Sequence, residues 1–301
     1  METRHFLKVE DMSRDEIVAL IADARANRGE RSVALHGKCL GMIFSKPSTR
    51  TRASFTAGAY QLGGDVMFVS EGEMQLGRGE TVEDTARVLS SYLDGVVIRT
   101  YLQENLERFA AAASIPVING LTDDHHPCQA LADLMTISEY HDDLAGVKVV
   151  YLGDGNNVAV SLMDICAVVG AHVVICTPEE LALPQWATDN AARLAAASGA
   201  RVEVTTDPEA AASGADFLYT DVWFSMGQAE QPAKRARLEP YRIDEELLAL
   251  TDPDCRVMHC LPAHRDEEIS AEVMDGPRSI VFRQAENRLH AQKELLKRLM
   301  G

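Results

Sequence analysis

The sequence predicts an α/β protein of two domains, each a mostly parallel sheet flanked by helices. Short apolar runs typical of buried strands alternate along the chain with longer segments of helical periodicity, as βαβ units require. A polar, turn-like segment at 141–146 separates this alternation into two series. The length of 301 residues suits two domains of about 150 residues each.

The first series opens with a helix and continues as strand–helix pairs. Ser13 and Glu16 form a capping-box pattern, and apolar residues follow them at helical spacing. We expect strands at 40–44, 66–69, 96–98 and 116–118, and helices after Ser48 and at 81–92, 104–113 and 128–140.

The second series predicts six strands with helices between them, and one last helix. The strands are expected at 148–152, 172–176, 201–205, 217–220, 256–260 and 279–282. The last helix, at 285–300, carries a stripe of leucines that would return it to the first domain. We therefore predict one domain from 1–140 plus 285–301 and another from 147–284.

Composition narrows the class of partner. The chain has 46 acidic and 29 basic residues and a net charge of −17, which argues against nucleic acid or an anionic membrane as a partner. Six scattered cysteines lie mostly in apolar runs, no secretory signal pattern is visible, and no apolar stretch reaches the roughly 18 residues of a membrane span. We expect a cytoplasmic protein with free thiols.

The segment Ser48-Thr49-Arg50-Thr51-Arg52 joins a predicted strand to a predicted helix. A helix N-terminus offers unpaired backbone N–H groups and the positive end of the helix dipole, and hydroxyl and guanidinium donors add to them. A phosphate site is one interpretation. The other is that Ser48 caps the helix and the arginines face solvent, and these five residues alone leave both open.

Polar residues also follow the next predicted strands, where ligands of open α/β sheets bind. Arg99 ends an apolar strand, either as a second anion contact or as an arginine reaching water. His126 and Gln129 flank Pro127, which suits the first position of a helix. His126 would then be a neutral donor to a carbonyl oxygen, or else a core or capping histidine.

Two further segments allow more than one chemistry. Gly153-Asp154-Gly155 follows a strand as part of a dinucleotide fingerprint, but Val158 stands at the third glycine position, so a nicotinamide-dependent dehydrogenase is only an alternative. His259, Cys260 and His264 invite a zinc interpretation, which their spacing and the lack of a CxxC pair disfavour.

The segment Asp221-Val222-Trp223-Phe224-Ser225-Met226-Gly227 follows another predicted strand. Its acid and its hydroxyl, four residues apart, could hold the ammonium and carboxylate of an amino acid.

Taken together, four segments resemble the ornithine carbamoyltransferase family over nearly the whole chain. They are Ser48-Thr49-Arg50-Thr51-Arg52, His126-Pro127-Cys128-Gln129, Asp221-Val222-Trp223-Phe224-Ser225-Met226-Gly227 and His259-Cys260-Leu261-Pro262, and Ala285-Glu286-Asn287-Arg288 resembles the family's closing motif. The resemblance implies carbamoyl transfer from carbamoyl phosphate to the δ-amine of L-ornithine, giving L-citrulline in arginine metabolism. It implies a homotrimer with active sites at subunit interfaces, leaves further stacking of trimers open, and implies no cofactor and no metal.

The resemblance also assigns residues to the two substrates. Carbamoyl phosphate would be bound by Ser48, Thr49, Arg50, Thr51, Arg99, His126, Gln129, Cys260, Leu261 and Arg288, and by Gln75 of a neighbouring subunit. Ornithine would be bound by Asn157, Asp221, Ser225 and Met226, with Cys260 and Leu261 closing over its amine. The catalytic residues would be Arg50, Arg99, His126, Asp221 and Cys260.

Arg52 stands apart from this set. It lies two residues past Arg50 and about 200° round the helix, so we expect it to brace the protein. A non-catalytic scaffold remains a third hypothesis, disfavoured because every expected polar residue is present.

Overall fold

A computed structural model of the protein describes residues 3–70, 79–224 and 231–301. The chain forms two compact units. Unit 1 comprises the residues up to Met135 together with Asn287–Gly301, and unit 2 comprises Thr136–Glu286. Each unit contains a parallel sheet flanked by helices, which confirms the predicted fold class. Among the described helices, none combines the length and the apolar character that a membrane span needs.

The sheet of unit 1 has four parallel strands in the order β2-β1-β3-β4. Its strands are β1 (Cys39–Phe44), β2 (Asp65–Ser70), β3 (Gly95–Arg99) and β4 (Val117–Leu121). Its helices are α1 (Arg14–Ala26), α2 (Thr49–Gln61), α3 (Val82–Leu89), α4 (Gln103–Ala112) and α5 (Pro127–Ile137), the last of which runs two residues into unit 2. Strand order changes direction between β1 and β3, so their carboxyl ends flank a crevice of the kind in which α/β sheets bind ligands.

The sheet of unit 2 has five parallel strands in the order β7-β6-β5-β8-β9. Its strands are β5 (Lys148–Leu152), β6 (His172–Cys176), β7 (Arg201–Thr205), β8 (Phe217–Thr220) and β9 (Arg256–His259). The helices that follow along the chain are α6 (Asn157–Val169), α7 (Gln185–Ser198), α8 (Pro208–Ala212), α9 (Pro232–Leu238), α10 (Glu245–Leu248), α11 (Ala271–Met274) and α12 (Val281–Met300). Here the strand order changes direction between β5 and β8.

The predicted strand at 279–282 is wrong. Only Ser279 bridges to Val257, and α12 already begins at Val281. A short apolar run fits a buried helix as well as a strand, and periodicity alone does not separate the two. Burial at helical spacing agrees with the helix, because Val281, Gln284 and Arg288 are buried while Phe282 is 67% exposed.

The last helix returns to unit 1, as its leucine stripe predicted. Gly58 of α2 faces Leu289 and Leu296 of α12. Because glycine has no side chain, the two helices can approach closely at this point. Arg298 reinforces the contact through an ion pair of 2.6 Å with Asp23 of α1. These contacts carry Arg288, on the same helix, into the interior of unit 1.

Position 155, in the turn after β5, requires glycine because neighbouring backbone leaves no space for a side chain. A Cβ atom there would lie 2.5 Å from the carbonyl oxygen of Leu181 and 2.7 Å from the backbone nitrogen of Leu183. The Gly155 N–H donates to the same Leu181 carbonyl at 3.0 Å. Backbone atoms at such distances cannot move aside as a side chain would.

We expect Gly155→Ala to destabilise the fold by about 1–3 kcal/mol, the usual cost of overpacking. Gly58→Ala is the matched control, because its Cβ would meet its nearest neighbour at an ordinary 3.7 Å and alanine favours a helix interior by about 0.5–1 kcal/mol. Urea unfolding followed by circular dichroism checks both variants. Equal midpoints for the two would contradict the packing argument.

Candidate active site

In unit 1, strand register brings Arg99 beside the loop that leads to α2. Phe44 at the end of β1 pairs with Arg99 at the end of β3, and the Ser45 N–H donates to the Arg99 carbonyl at 2.8 Å. Arg99 is buried although it ends a strand. It therefore does not reach solvent, and this removes one of the two sequence-based interpretations of it.

The N-terminus of α2 has the geometry of an anion site. Ser48 caps the helix, and its Oγ accepts a hydrogen bond of 3.2 Å from the Thr51 N–H. No acidic residue lies in the first turn of α2, so the positive end of the helix dipole meets no carboxylate from its own helix. Thr49 is exposed, Arg50 half-buried and Thr51 buried.

Arg52 behaves differently from Arg50. Its guanidinium carbon lies 3.7 Å from the ring centroid of Phe68 in β2, which is a cation–π contact. This contact agrees with the expectation that Arg52 braces the protein.

Arg288 connects three elements of unit 1 in the interior. Its Nη1 donates to Gln129 Oε1 of α5 at 2.6 Å, and its Nη2 donates to Thr51 Oγ1 of α2 at 3.2 Å. Gln129 Nε2 in turn donates to Asp133 Oδ1 at 2.8 Å. All four side chains are buried. Asp133 did not stand out in the sequence, although a carboxylate four residues after Gln129 on an apolar helix was a signal for it.

His126 immediately precedes α5, and its carbonyl accepts hydrogen bonds from the Gln129 and Ala130 N–H groups. Pro127 is the first residue of α5, as predicted. Burial, with further contributions from Arg288 and Arg99, lowers the pKa of the His126 imidazole well below its usual 6.5. The ring is therefore neutral at pH 7 and keeps one N–H donor.

Cys128, between these residues, is not a nucleophile. Burial raises the pKa of its thiol to about 12, and its Sγ donates to the Asn119 carbonyl at 3.3 Å. It therefore stays protonated at neutral pH.

In unit 2, Asp221 follows β8 and is held from three directions. Its Oδ1 accepts hydrogen bonds of 2.8 Å from the Val222 N–H and of 2.8 Å from Cys260 Sγ, and its Oδ2 accepts one of 2.9 Å from Asn156 Nδ2. Asn156 follows β5 and Cys260 follows β9. The three side chains thus converge from three strands at the point where strand order changes direction.

Asn156 also caps α6, since its Oδ1 accepts hydrogen bonds from the Val158 and Ala159 N–H groups. Its neighbour Asn157, which the resemblance assigns to ornithine, is the first residue of α6. Tyr151 also donates to Asn156 Oδ1 at 3.4 Å. Burial, together with the negative charges of Asp221 and Asp154, raises the pKa of the Tyr151 phenol well above 10, so it remains a donor.

Behind Cys260 lies a buried hydrogen-bonded pair, His259 and Glu268, that did not stand out in the sequence. The Leu261 N–H donates to His259 Nδ1 at 2.9 Å, so the proton sits on Nε2, which donates to Glu268 Oε1 at 3.1 Å. Both side chains are wholly buried. Leu261 itself has φ of 60°, in the left-handed region that non-glycine residues rarely adopt. The pair thus supports a strained turn directly after Cys260.

Asp221, His259 and Cys260 each offer a ligand atom within 4.8 Å of the others, a spacing that suits a metal ion. However, both His259 ring nitrogens already make hydrogen bonds, so coordination would break one of them. A dinucleotide site is also disfavoured. Backbone from Leu181 to Leu183 fills the space beside Gly155 where a pyrophosphate would approach.

The structure thus groups the predicted residues within each unit. In unit 1 Arg288 joins Thr51 and Gln129, with Ser48 at the same helix start as Thr51 and His126 directly before α5. In unit 2 Asp221 contacts Cys260, and Leu261 is the next residue in the chain after Cys260. Three predicted residues, Gln75, Ser225 and Met226, lie outside the described residues.

Comparison with known proteins adds sequence evidence. The family model described as "Aspartate/ornithine carbamoyltransferase, carbamoyl-P binding domain" matches residues 4–139, and the one described as "Aspartate/ornithine carbamoyltransferase, Asp/Orn binding domain" matches residues 145–299. The chain is 52% identical over 297 residues to an ornithine carbamoyltransferase of Bacillus thuringiensis subsp. konkukian (strain 97-27), covering 98% of this chain and 94% of that one.

Solved structures agree with the sequence comparison. The ornithine carbamoyltransferase of Pyrococcus furiosus superposes with a TM-score of 0.96 at 46% identity, over 100% of this chain and 98% of that one. That of Gloeobacter violaceus superposes with a TM-score of 0.90 at 47% identity over 100% of both chains. The chain belongs to the aspartate/ornithine carbamoyltransferase family.

Proposed function

We propose that this chain is an enzyme that transfers the carbamoyl group of carbamoyl phosphate to the δ-amine of L-ornithine, giving L-citrulline and phosphate. The observation that carries the proposal is the buried Arg288, which donates to Thr51 and Gln129 at the capped N-terminus of α2 and the start of α5. A cationic, donor-rich cluster in a chain with a net charge of −17 is the environment that an anionic substrate needs.

The phosphate end of carbamoyl phosphate would lie at the start of α2. Backbone N–H groups of the first turn, the hydroxyls of Ser48, Thr49 and Thr51, and the guanidinium of Arg50 supply donors there. Arg99 and Arg288 add positive charge that stabilises the leaving phosphate as its negative charge grows. Gln75, which we assign to a neighbouring subunit, would complete the phosphate contacts.

The carbamoyl end would lie between His126 and Gln129. Neutral His126 offers an N–H donor to the carbonyl oxygen, and this hydrogen bond strengthens as the oxygen becomes an oxyanion. Gln129 Oε1 already accepts from Arg288, but a carbonyl oxygen has a second lone pair. That lone pair can accept from the carbamoyl NH₂ group without releasing Arg288.

The amino acid would bind unit 2. Asp221 and Asn157, with Ser225 and Met226, would hold its α-amino and α-carboxylate groups, and Cys260 and Leu261 would close over the δ-amine. The neutral amine nitrogen forms the new C–N bond, the C–O bond to phosphate breaks, and the amine releases one proton. No redox step occurs, so the residues named need no cofactor to complete this balance.

Three properties of the whole protein belong to the same proposal. We infer a homotrimer, as the family resemblance implies, in which each site is completed by Gln75 of a neighbouring subunit. We assign 1–140 plus 285–301 to carbamoyl phosphate and 147–284 to ornithine. We place the protein in the cytoplasm, because all six cysteines are free thiols.

The direct test is citrulline formation from purified protein, carbamoyl phosphate and L-ornithine. We expect turnover with ornithine and none with L-aspartate, putrescine or N-acetyl-L-ornithine at the same concentration, because these lack either the δ-amine or the complete α-amino acid. Colorimetric citrulline and phosphate assays check it. Turnover of one of the other three amines in place of ornithine would refute the substrate assignment.

A pair of arginine variants tests the phosphate site. Arg50→Ala should lower kcat/KM at least about 100-fold, the usual cost of removing one transition-state donor. Arg52→Ala removes the same charge two residues away, but it removes only the stacking on Phe68, so kcat/KM should stay near the parent value. Steady-state kinetics measures both, and circular dichroism confirms folding. Equal losses in the two variants would mean that net charge, not Arg50, determines the rate.

A further inference from the structure

The loop after β9 contains a second cluster of potential metal ligands. Of its residues, only Glu268 belongs to the candidate active site described above. His264 Nδ1 lies 3.9 Å from Glu267 Oε2 and 3.8 Å from Glu268 Oε2. One ligand atom from each of the three residues lies within 4.8 Å of the others. These three residues form what we call the loop cluster.

Glu268 gives the loop cluster its independent signal. Its side chain is wholly buried, and its Oε1 is used by the His259 ring and by the His264 N–H. Its Oε2 is equally buried, but among the described residues no donor lies within hydrogen-bond distance of it. Buried carboxylate oxygens normally have a partner, and this oxygen points toward His264. A bound cation would supply that partner.

Backbone hydrogen bonds and a neighbouring ion pair also hold the loop cluster in shape. The Glu267 N–H donates to the His264 carbonyl at 3.1 Å, and the Asp266 N–H donates to the Ile269 carbonyl at 2.8 Å. Arg265 forms a two-point ion pair with Asp275, at 2.8 and 2.6 Å. The two residues between His264 and Glu267 are thus committed elsewhere, so His264 and Glu267 stay on the side of Glu268.

We propose that the loop cluster binds a divalent first-row transition-metal ion through His264 Nδ1, Glu267 Oε2 and Glu268 Oε2, with water in the remaining positions. An imidazole with two carboxylates is a ligand set that such ions accept. Bonds of about 2.0–2.2 Å place neighbouring ligand atoms roughly 3 Å apart. The two distances from His264 Nδ1, 3.9 and 3.8 Å, must therefore each contract by about 1 Å. The side chains of His264 and Glu267 are 49% and 29% exposed and are able to make this movement.

One neighbouring cation contacts the loop cluster. Arg235 Nη2 lies 3.3 Å from Glu267 Oε1, which leaves Glu267 Oε2 available to the ion. A protonated His264 ring could instead form a simple ion pair with the two glutamates, and this is the alternative that the experiment must exclude. Glu268 also orients His259, so it is not a residue to vary in the test.

Calorimetric titration of the full-length protein with Co²⁺ tests the proposal. The titration uses a Cys260→Ser parent, which removes the thiol of the Asp221–His259–Cys260 group and with it the other candidate ligand set. We expect one bound ion per chain. His264→Ala and Glu267→Gln should each weaken binding at least about 10-fold, because loss even of groups that only support a metal ligand costs 10–100-fold.

Glu272→Gln is the matched control, since it removes an exposed carboxylate from the neighbouring α11 and should leave the affinity unchanged. Circular dichroism confirms that each variant is folded. The proposal is overturned if the parent binds no Co²⁺ at millimolar concentration, as the ion-pair alternative requires. It is equally overturned if the parent binds Co²⁺ with an affinity that neither His264→Ala nor Glu267→Gln changes.

Discussion

The candidate site depends on one constraint, the parallel arrangement of strands whose carboxyl ends meet at a single edge of each sheet. Where strand order changes direction, the loops after two neighbouring strands diverge and leave a crevice. In unit 1 this point lies between β1 and β3, next to the start of α2 and Arg99. In unit 2 it lies between β5 and β8, where Asn156 and Asp221 are joined by a hydrogen bond of 2.9 Å.

Buried polar groups then give each crevice its chemistry. A buried guanidinium is costly unless hydrogen bonds satisfy it, and Arg288 donates to both Thr51 and Gln129. The same burial, with Arg288 and Arg99, keeps the pKa of His126 low and its ring neutral. In unit 2 the thiol of Cys260 and the amide of Asn156 fix both oxygens of Asp221. Packing, hydrogen bonding and protonation state are therefore consequences of one arrangement.

Much of this arrangement was predictable from local sequence. Apolar runs bounded by polar residues predicted the strands, Ser48 predicted the cap of α2, and Pro127 predicted the start of α5, because each signal is contained in a few neighbouring residues. The partners of Arg288 lie 159 and 237 residues away in the chain. Periodicity carries no information on such contacts, and only the resemblance to a family placed these residues together.

The errors and omissions have equally specific causes. The run at 279–282 was too short for its period to separate strand from helix. Glu268 was overlooked because it is one of two adjacent glutamates in a polar loop, which sequence alone favours as solvent-exposed, while the fold buries it against His259. Asn156 was overlooked because the resemblance assigned only its neighbour Asn157. Which of two adjacent asparagines faces Asp221 depends on where α6 begins, and sequence leaves that uncertain by a residue or two.

The proposed function depends above all on the start of α2 binding the phosphate end of carbamoyl phosphate. A crystal structure of the protein with phosphonoacetamide, a non-reactive analogue with a methylene group in place of the bridging oxygen, tests this claim most directly. We expect phosphonate oxygens within hydrogen-bond distance of the first-turn N–H groups of α2 and of Arg50, with the amide near His126. A phosphonate bound elsewhere, with those N–H groups facing only water, would contradict it.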